Sequence, residues 1–214
     1  MNLLDIVAKG SWIMVLILIC SLIAVAIIVE RYMVLRKARS NIRQLMMKLK
    51  TLITRGNIDD AIDLCSESPG VAAKVLKQGI MRVHMNKEEI QNAIQNAGNE
   101  QVYNLEKNMH VLATIAGVAP LIGFLGTVTG MIEAFMEIER LSGNVNATVL
   151  AGGIWEALLT TAGGLCVGIP TYIFYNMLST RIKRHVFKME TSSNELMELL
   201  VEEKQNNNYS ESVK

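Results

Sequence analysis

The sequence predicts an all-α integral membrane protein with three transmembrane helices. The second and third extend far into the cytoplasm, and a small helical cytoplasmic segment accompanies them. Three observations carry this reading. Three long apolar stretches interrupt a mixed chain, and Lys and Arg cluster just after the first and third of them. Between them, apolar residues recur at helical spacing and no stretch reads as a strand. Half of the residues are hydrophobic, which fits a membrane protein with sizeable polar portions rather than a secreted or disordered chain. The 21 Lys and Arg against 20 Asp and Glu leave almost no net charge, which by itself says nothing about partners; their distribution along the chain points to a membrane, and no nucleic-acid partner is expected.

Residues 1–11 form a periplasmic N-terminus ahead of the first membrane helix, residues 12–29. That stretch carries no charge and is about as long as the ~20 residues needed to span. A signal peptide has its positive residues before the apolar run. Here Arg31, Arg36, Lys37, Arg39 and Arg43 follow it, so the helix is read as retained. Residues 30–110 are the cytoplasmic helical segment. A helix in GNIDDAIDLCSESPG is closed by Ser68, Pro69 and Gly70, and from Asn86 onward Ile90, Ile94, Ala97, Val102, Leu105 and Met109 keep helical spacing. Nothing in that pattern breaks before residue 111, so one helix from Lys87 to Phe135 is expected, about 70 Å long at ~1.5 Å per residue.

The second membrane helix is placed at residues 111–135, a periplasmic link at 136–146 and the third membrane helix at 147–178. A cytoplasmic helix to about Glu203 and a disordered tail complete 179–214. The link carries Glu133, Glu137 and Glu139 near a single Arg140, while Arg181, Lys183, Arg184 and Lys188 follow the third helix. The positive-inside rule then puts the N-terminus and the link outside and the C-terminus in the cytoplasm. Trp12 and Trp155 fall at the outer interface, with Tyr32 and Tyr175 at the inner one.

Cys20, Cys65 and Cys166 have neither metal-ligand spacing nor a disulfide pattern, and His84, His110 and His185 are scattered. No cofactor, no metal and no enzymatic activity are expected, because no nucleophile, base and phosphate-loop arrangement is present.

The chemistry sits in EALLTTAGGLCVGIP, residues 156–170. At 100° per residue, Gly152, Gly153, Glu156, Ala157, Thr160, Thr161, Gly164 and Gly168 share a small and polar face, whereas Trp155, Leu158, Leu165 and Ile169 lie opposite. The second helix repeats the division, with Ala113, Ala116, Pro120, Gly123, Thr127 and Gly130 against Val118, Leu121, Leu125 and Ile132. Gly126 with Gly130 and Gly164 with Gly168 are GxxxG pairs that let helix backbones approach closely. Pro120 and Pro170 free the carbonyls of Ala116 and Cys166 and can kink their helices. Thr127 and Thr161 lie at similar depth, each five or six residues inward from a carboxylate, Glu133 or Glu156. With Asn146 as N-cap, Glu156 is about 15 Å inside its helix, where a carboxylate is a functional candidate. The plainer alternatives are threonines that bond their own backbone and a glutamate favoured by the helix dipole.

APLIGFLGTVTGMIEAF and EALLTTAGGLCVGIPTYIFYN resemble the paired signatures of the MotA/TolQ/ExbB ion-channel family, and GNIDDAIDLCSESPGVAAKVL is similar to its soluble segment. Three membrane helices match the ExbB and TolQ branch. The resemblance implies a homopentamer in the inner membrane whose second and third helices line a pore holding a single-span ExbD- or TolR-like partner with an essential aspartate. It also allows a TonB- or TolA-like protein as a further partner. The implied function is a motor subunit that couples the proton motive force to outer-membrane transport or envelope maintenance. By the same resemblance Thr127 and Thr161 match pore threonines and Glu156 the third-helix glutamate. Thr160 departs from the ExbB pattern, and the threonine pair leaves a sodium-driven motor open. The rival from another class is a passive helical scaffold in which Glu156 is structural.

Overall fold

The computed structural model describes residues 12–38, 41–140 and 147–212. Among these there are seven helices and no strand: α1 Trp12–Lys37, α2 Ile42–Thr54, α3 Ile58–Glu67, α4 Val71–Ile80, α5 Lys87–Glu106, α6 Met109–Arg140 and α7 Ala147–Ser212. Three helices are long and apolar enough to cross a membrane. The N-terminal residues 1–11, most of the link at 141–146 and the N-cap assigned to Asn146 lie outside the described residues. The start of α7 at Ala147 follows directly on that Asn. At its other end α7 continues to Ser212, past Glu203, where the sequence reading began a disordered tail. Extending a formed helix needs no new nucleus, so polar residues can be carried on its end.

The described chain falls into two compact units. One holds the residues up to Glu30 together with Asn108–Leu178; the other holds Arg31–Lys107 and the residues from Ser179 on.

In the first unit α6 and the first part of α7 show the sidedness that the sequence predicts, and α1 likewise has a buried and an exposed side. Leu22, Leu121, Phe124, Trp155, Leu158 and Ile169 are exposed, whereas Ile17, Ala24, Leu112, Ala116, Ala119 and Ala157 are buried. Large apolar side chains directed outward suit hydrocarbon as the solvent, and small ones inward allow backbones to close up.

The single helix expected from Lys87 to Phe135 is two. Lys107 leaves the helical region at ψ 135°, and Asn108 sits in the left-handed region at φ 61°. Asn is among the few non-glycine residues that adopt this conformation readily. Its side chain is also held, since Nδ2 donates to Glu30 Oε2 at 3.1 Å. Apolar spacing continues across the break, so periodicity alone could not reveal it.

The second unit is a bundle of α2–α5 with the later part of α7. Asn41 caps α2, and Asn86 caps α5 in a capping box with Glu89. Gly56 and Gly70, at φ 76° and 111°, make the turns on either side of α3, and Ser68 and Pro69 end that helix as expected. Leu49, Leu76, Ile80 and Leu196 are fully buried at its centre. A Cβ on Gly79 would come within 2.7 Å of Ile94 Cδ1, so this glycine sets how closely α4 approaches α5. Cys65 belongs to the same core, and burial pushes its thiol up to about 11, only partly offset by Lys77. It is a small core hydrophobe and an inert thiol near neutral pH.

Arg31 is buried, and its Nη1 donates to the Asn104 carbonyl at 2.9 Å. Asn104 is in the last turn of α5, where carbonyls lack helical partners, so the guanidinium acts as a helix cap. In the sequence Arg31 reads only as part of the positive flank.

Candidate functional site

Helices α6 and α7 pack through their glycines, in antiparallel order. A Cβ on Gly168 would collide with the Pro120 ring, and one on Gly164 would lie 2.6 Å from the Ala119 carbonyl. Gly123 faces the Thr160 carbonyl and the Cα atoms of Thr161 and Gly164. Gly126 faces the Thr160 side chain, Gly130 faces Ala157, and Gly153 faces Ala134. As numbers rise along α6 they fall along α7. All four glycines of the GxxxG pairs therefore lie in one seam within a single chain. Two antiparallel helices joined by a short link have each other close at hand, and their small faces meet there. Pro120 is part of the seam, while Pro170 is exposed.

The hydroxyls converge on one turn of α6. Thr161, half-buried, donates across the seam to the Gly123 carbonyl at 2.9 Å. Thr127, also half-buried, donates to the adjacent Phe124 carbonyl at 2.6 Å, within its own helix. The sequence placed these two at similar depth, and the structure brings them to consecutive carbonyls. Thr160 is 1% exposed and fits beside Gly126; it donates to its own Ala157 carbonyl at 2.7 Å and lies 3.4 Å from that of Gly123. A carbonyl can only accept, so the protons of all three hydroxyls are directed at backbone oxygens.

Glu156 is half-buried on α7, one turn before Thr160 and nine residues into the helix. That is about 13 Å from the helix start, too far for the N-terminal dipole to hold it. Further hydroxyls on these helices were not singled out in the sequence, Thr171 and Thr129 among them. Thr171, buried, donates to the Val167 carbonyl at 2.7 Å, and Thr129 donates to that of Leu125 at 3.1 Å. Both make the local backbone bond that is usual for threonine in a helix. Among the described residues no group of His, Cys, Asp and Glu could hold a metal ion.

A family model described as the MotA/TolQ/ExbB proton channel family matches residues 67–191, which take in α4, α5, α6 and much of α7. The Tol-Pal system protein TolQ of Haemophilus influenzae is 47% identical over 88 residues, 40% of this chain and 37% of that protein. The biopolymer transport protein exbB1 of Vibrio cholerae is 35% identical over 95 residues, covering 44% of this chain and 42% of its own length. A putative biopolymer transport protein ExbB homolog from Methanothermobacter thermautotrophicus is 26% identical over 162 residues, 75% of this chain and 57% of that protein. The matched part thus spans between 37% and 57% of the length of these relatives.

Proposed function

Because the chain belongs to the MotA/TolQ/ExbB proton channel family, we propose that it is an inner-membrane motor subunit that lets protons pass and couples them to work at the outer membrane. In this reading copies of the chain surround a single-span partner of the ExbD or TolR kind, which supplies an ionisable side chain inside the membrane. The N-terminus lies in the periplasm and the C-terminus in the cytoplasm. The observation that carries the proposal is the gathering of Thr127 and Thr161 on consecutive α6 carbonyls, with Glu156 on the same stretch of α7. Hydroxyls and a carboxylate in a membrane-length helix pair are expensive in hydrocarbon unless they meet water or a partner. Thr161 and Glu156 are half-buried and can do so; Thr160, enclosed beside Gly126, is assigned to packing.

The second reading, a passive scaffold, draws support from the same bonds. Thr127 and Thr160 make the local backbone bonds that serve structure alone. The two readings separate at Thr161. Thr161→Val keeps the shape and removes the hydroxyl, whereas Thr161→Ser keeps the hydroxyl. With assembly and partner binding verified, gradient-dependent function in cells is expected to fall at least about tenfold in the valine variant, equivalent to ~1.4 kcal/mol. The serine variant should stay near wild type. Wild-type function in Thr161→Val would favour the scaffold.

A further inference from the structure

The second unit carries two surfaces that complement each other. On α2, Arg43, Met47 and Lys50 are exposed at helical spacing, and beside them on α7 stand Phe187 and Lys188. Phe187 is 68% exposed and Met47 60%, both at the edge of a groove of about 540 Å³. An exposed aromatic and a methionine ringed by three cations, with Glu195 the single acid, have the make-up of an interface core and its polar rim. A second groove, of about 600 Å³, runs between α5 and α7. Its lining is mixed: Ile94, Val102, Met189 and Met197 alternate with amide and hydroxyl side chains such as Gln91, Gln95 and Ser193, and its charges are Glu190 and Glu198 against Lys87. The first surface is net cationic around an apolar knob, and the second is net anionic over a trough of mixed apolar and amide lining.

We propose that the Phe187 and Met47 ridge of one copy docks into the α5–α7 groove of a second copy, with Arg43, Lys50 and Lys188 facing Glu190 and Glu198. This rests on the reading that copies of the chain assemble, and it adds which surfaces meet. Ridge and groove are different patches of one unit, so the contact is head-to-tail. Repetition of such a contact closes a ring or propagates an open chain. Charge complementarity selects a second copy over an anionic lipid surface, which would satisfy the ridge and leave the groove unfilled.

The test uses full-length protein with Cys20→Ser, Cys65→Ala and Cys166→Ser substitutions, in two differently tagged copies expressed together. One copy carries Met47→Cys and the other Gln95→Cys, at the groove. Mild oxidation should yield a disulfide-linked heterodimer, while either variant alone should give none. Lys50→Glu with Lys188→Glu in the first copy should cut the yield at least tenfold, and Glu190→Lys with Glu198→Lys in the second should restore it. Native mass spectrometry of the same samples separates the two levels of the idea. A multimer without the cross-link would overturn the docking surfaces and leave assembly standing; a monomer throughout would overturn both. Cross-linking of Met47→Cys to itself would show a two-fold contact and also refute the proposal.

Discussion

Gly164→Val is expected to separate α6 from α7 and to abolish assembly of the membrane unit. The added Cβ would lie 2.6 Å from the Ala119 carbonyl and 2.9 Å from the Gly123 Cα, and both obstacles are backbone. No rotamer change relieves such a clash, so the helices must move apart and lose the contacts along the whole seam. Overpacking in a core typically costs about 1–3 kcal/mol, and a backbone obstacle places this variant at the upper end or beyond. Thermal unfolding in detergent measures the loss. Gly152→Val is the control, because nothing lies within 4 Å of the Cβ it would add. Gly126→Ala gives a finer test. Its obstacle is the Thr160 side chain, so Thr160→Gly in the same protein should recover most of the lost stability, whereas no single side-chain change can rescue Gly164→Val.

Leu196→Asp is expected to unfold the second unit. Leu196 is fully buried, and its Cδ2 lies 3.3 Å from where a Gly79 Cβ would be, among apolar neighbours on α4 and α5. Truncating such a leucine to alanine costs about 2–5 kcal/mol through lost burial and the cavity left behind. An unpaired carboxylate adds about 3–5 kcal/mol more by analogy with a broken buried ion pair. That is comparable with the whole stability of a small domain, typically ~5–15 kcal/mol. Limited proteolysis should cut within α2–α5 of the variant while sparing the wild type. Asn194→Asp, which adds the same charge at an exposed position two residues away, should be resistant. Protection of the Leu196→Asp protein would contradict the core described.

Much of this molecule is legible in the chain because its signals are repetitive. Apolar length identifies three helices, and the division of α6 and α7 into small and large faces identifies the seam. Exposed Leu121, Trp155, Leu158 and Ile169 match the large faces, and Gly123, Gly126, Gly164 and Gly168 the small ones. What could not be read is which surface each small face meets. Periodicity specifies a direction around a helix axis but no partner, and only coordinates show that the small faces of α6 and α7 meet within the chain. The break at Lys107 and Asn108 was hidden because apolar spacing runs through it. An Asn able to adopt the left-handed conformation, with Glu30 to hold its amide, was the only cue. The division of labour between Thr160 and Thr161 was also illegible. Adjacent threonines differ by 100° around the helix, and only coordinates show that one is enclosed beside Gly126 while the other reaches Gly123 across the seam.

The central claim is that ions pass by way of the Thr127 and Thr161 hydroxyls. The most direct measurement is proton entry into sealed vesicles that contain the protein with the single-span partner proposed for it, under an imposed pH gradient and potential. The Thr127→Val, Thr161→Val protein, assembled with the partner in equal amount, should pass protons at least about a hundredfold more slowly than wild type. That corresponds to roughly 2.7 kcal/mol from losing two hydroxyls along the path. Proton entry at the wild-type rate through the doubly substituted complex would contradict the account.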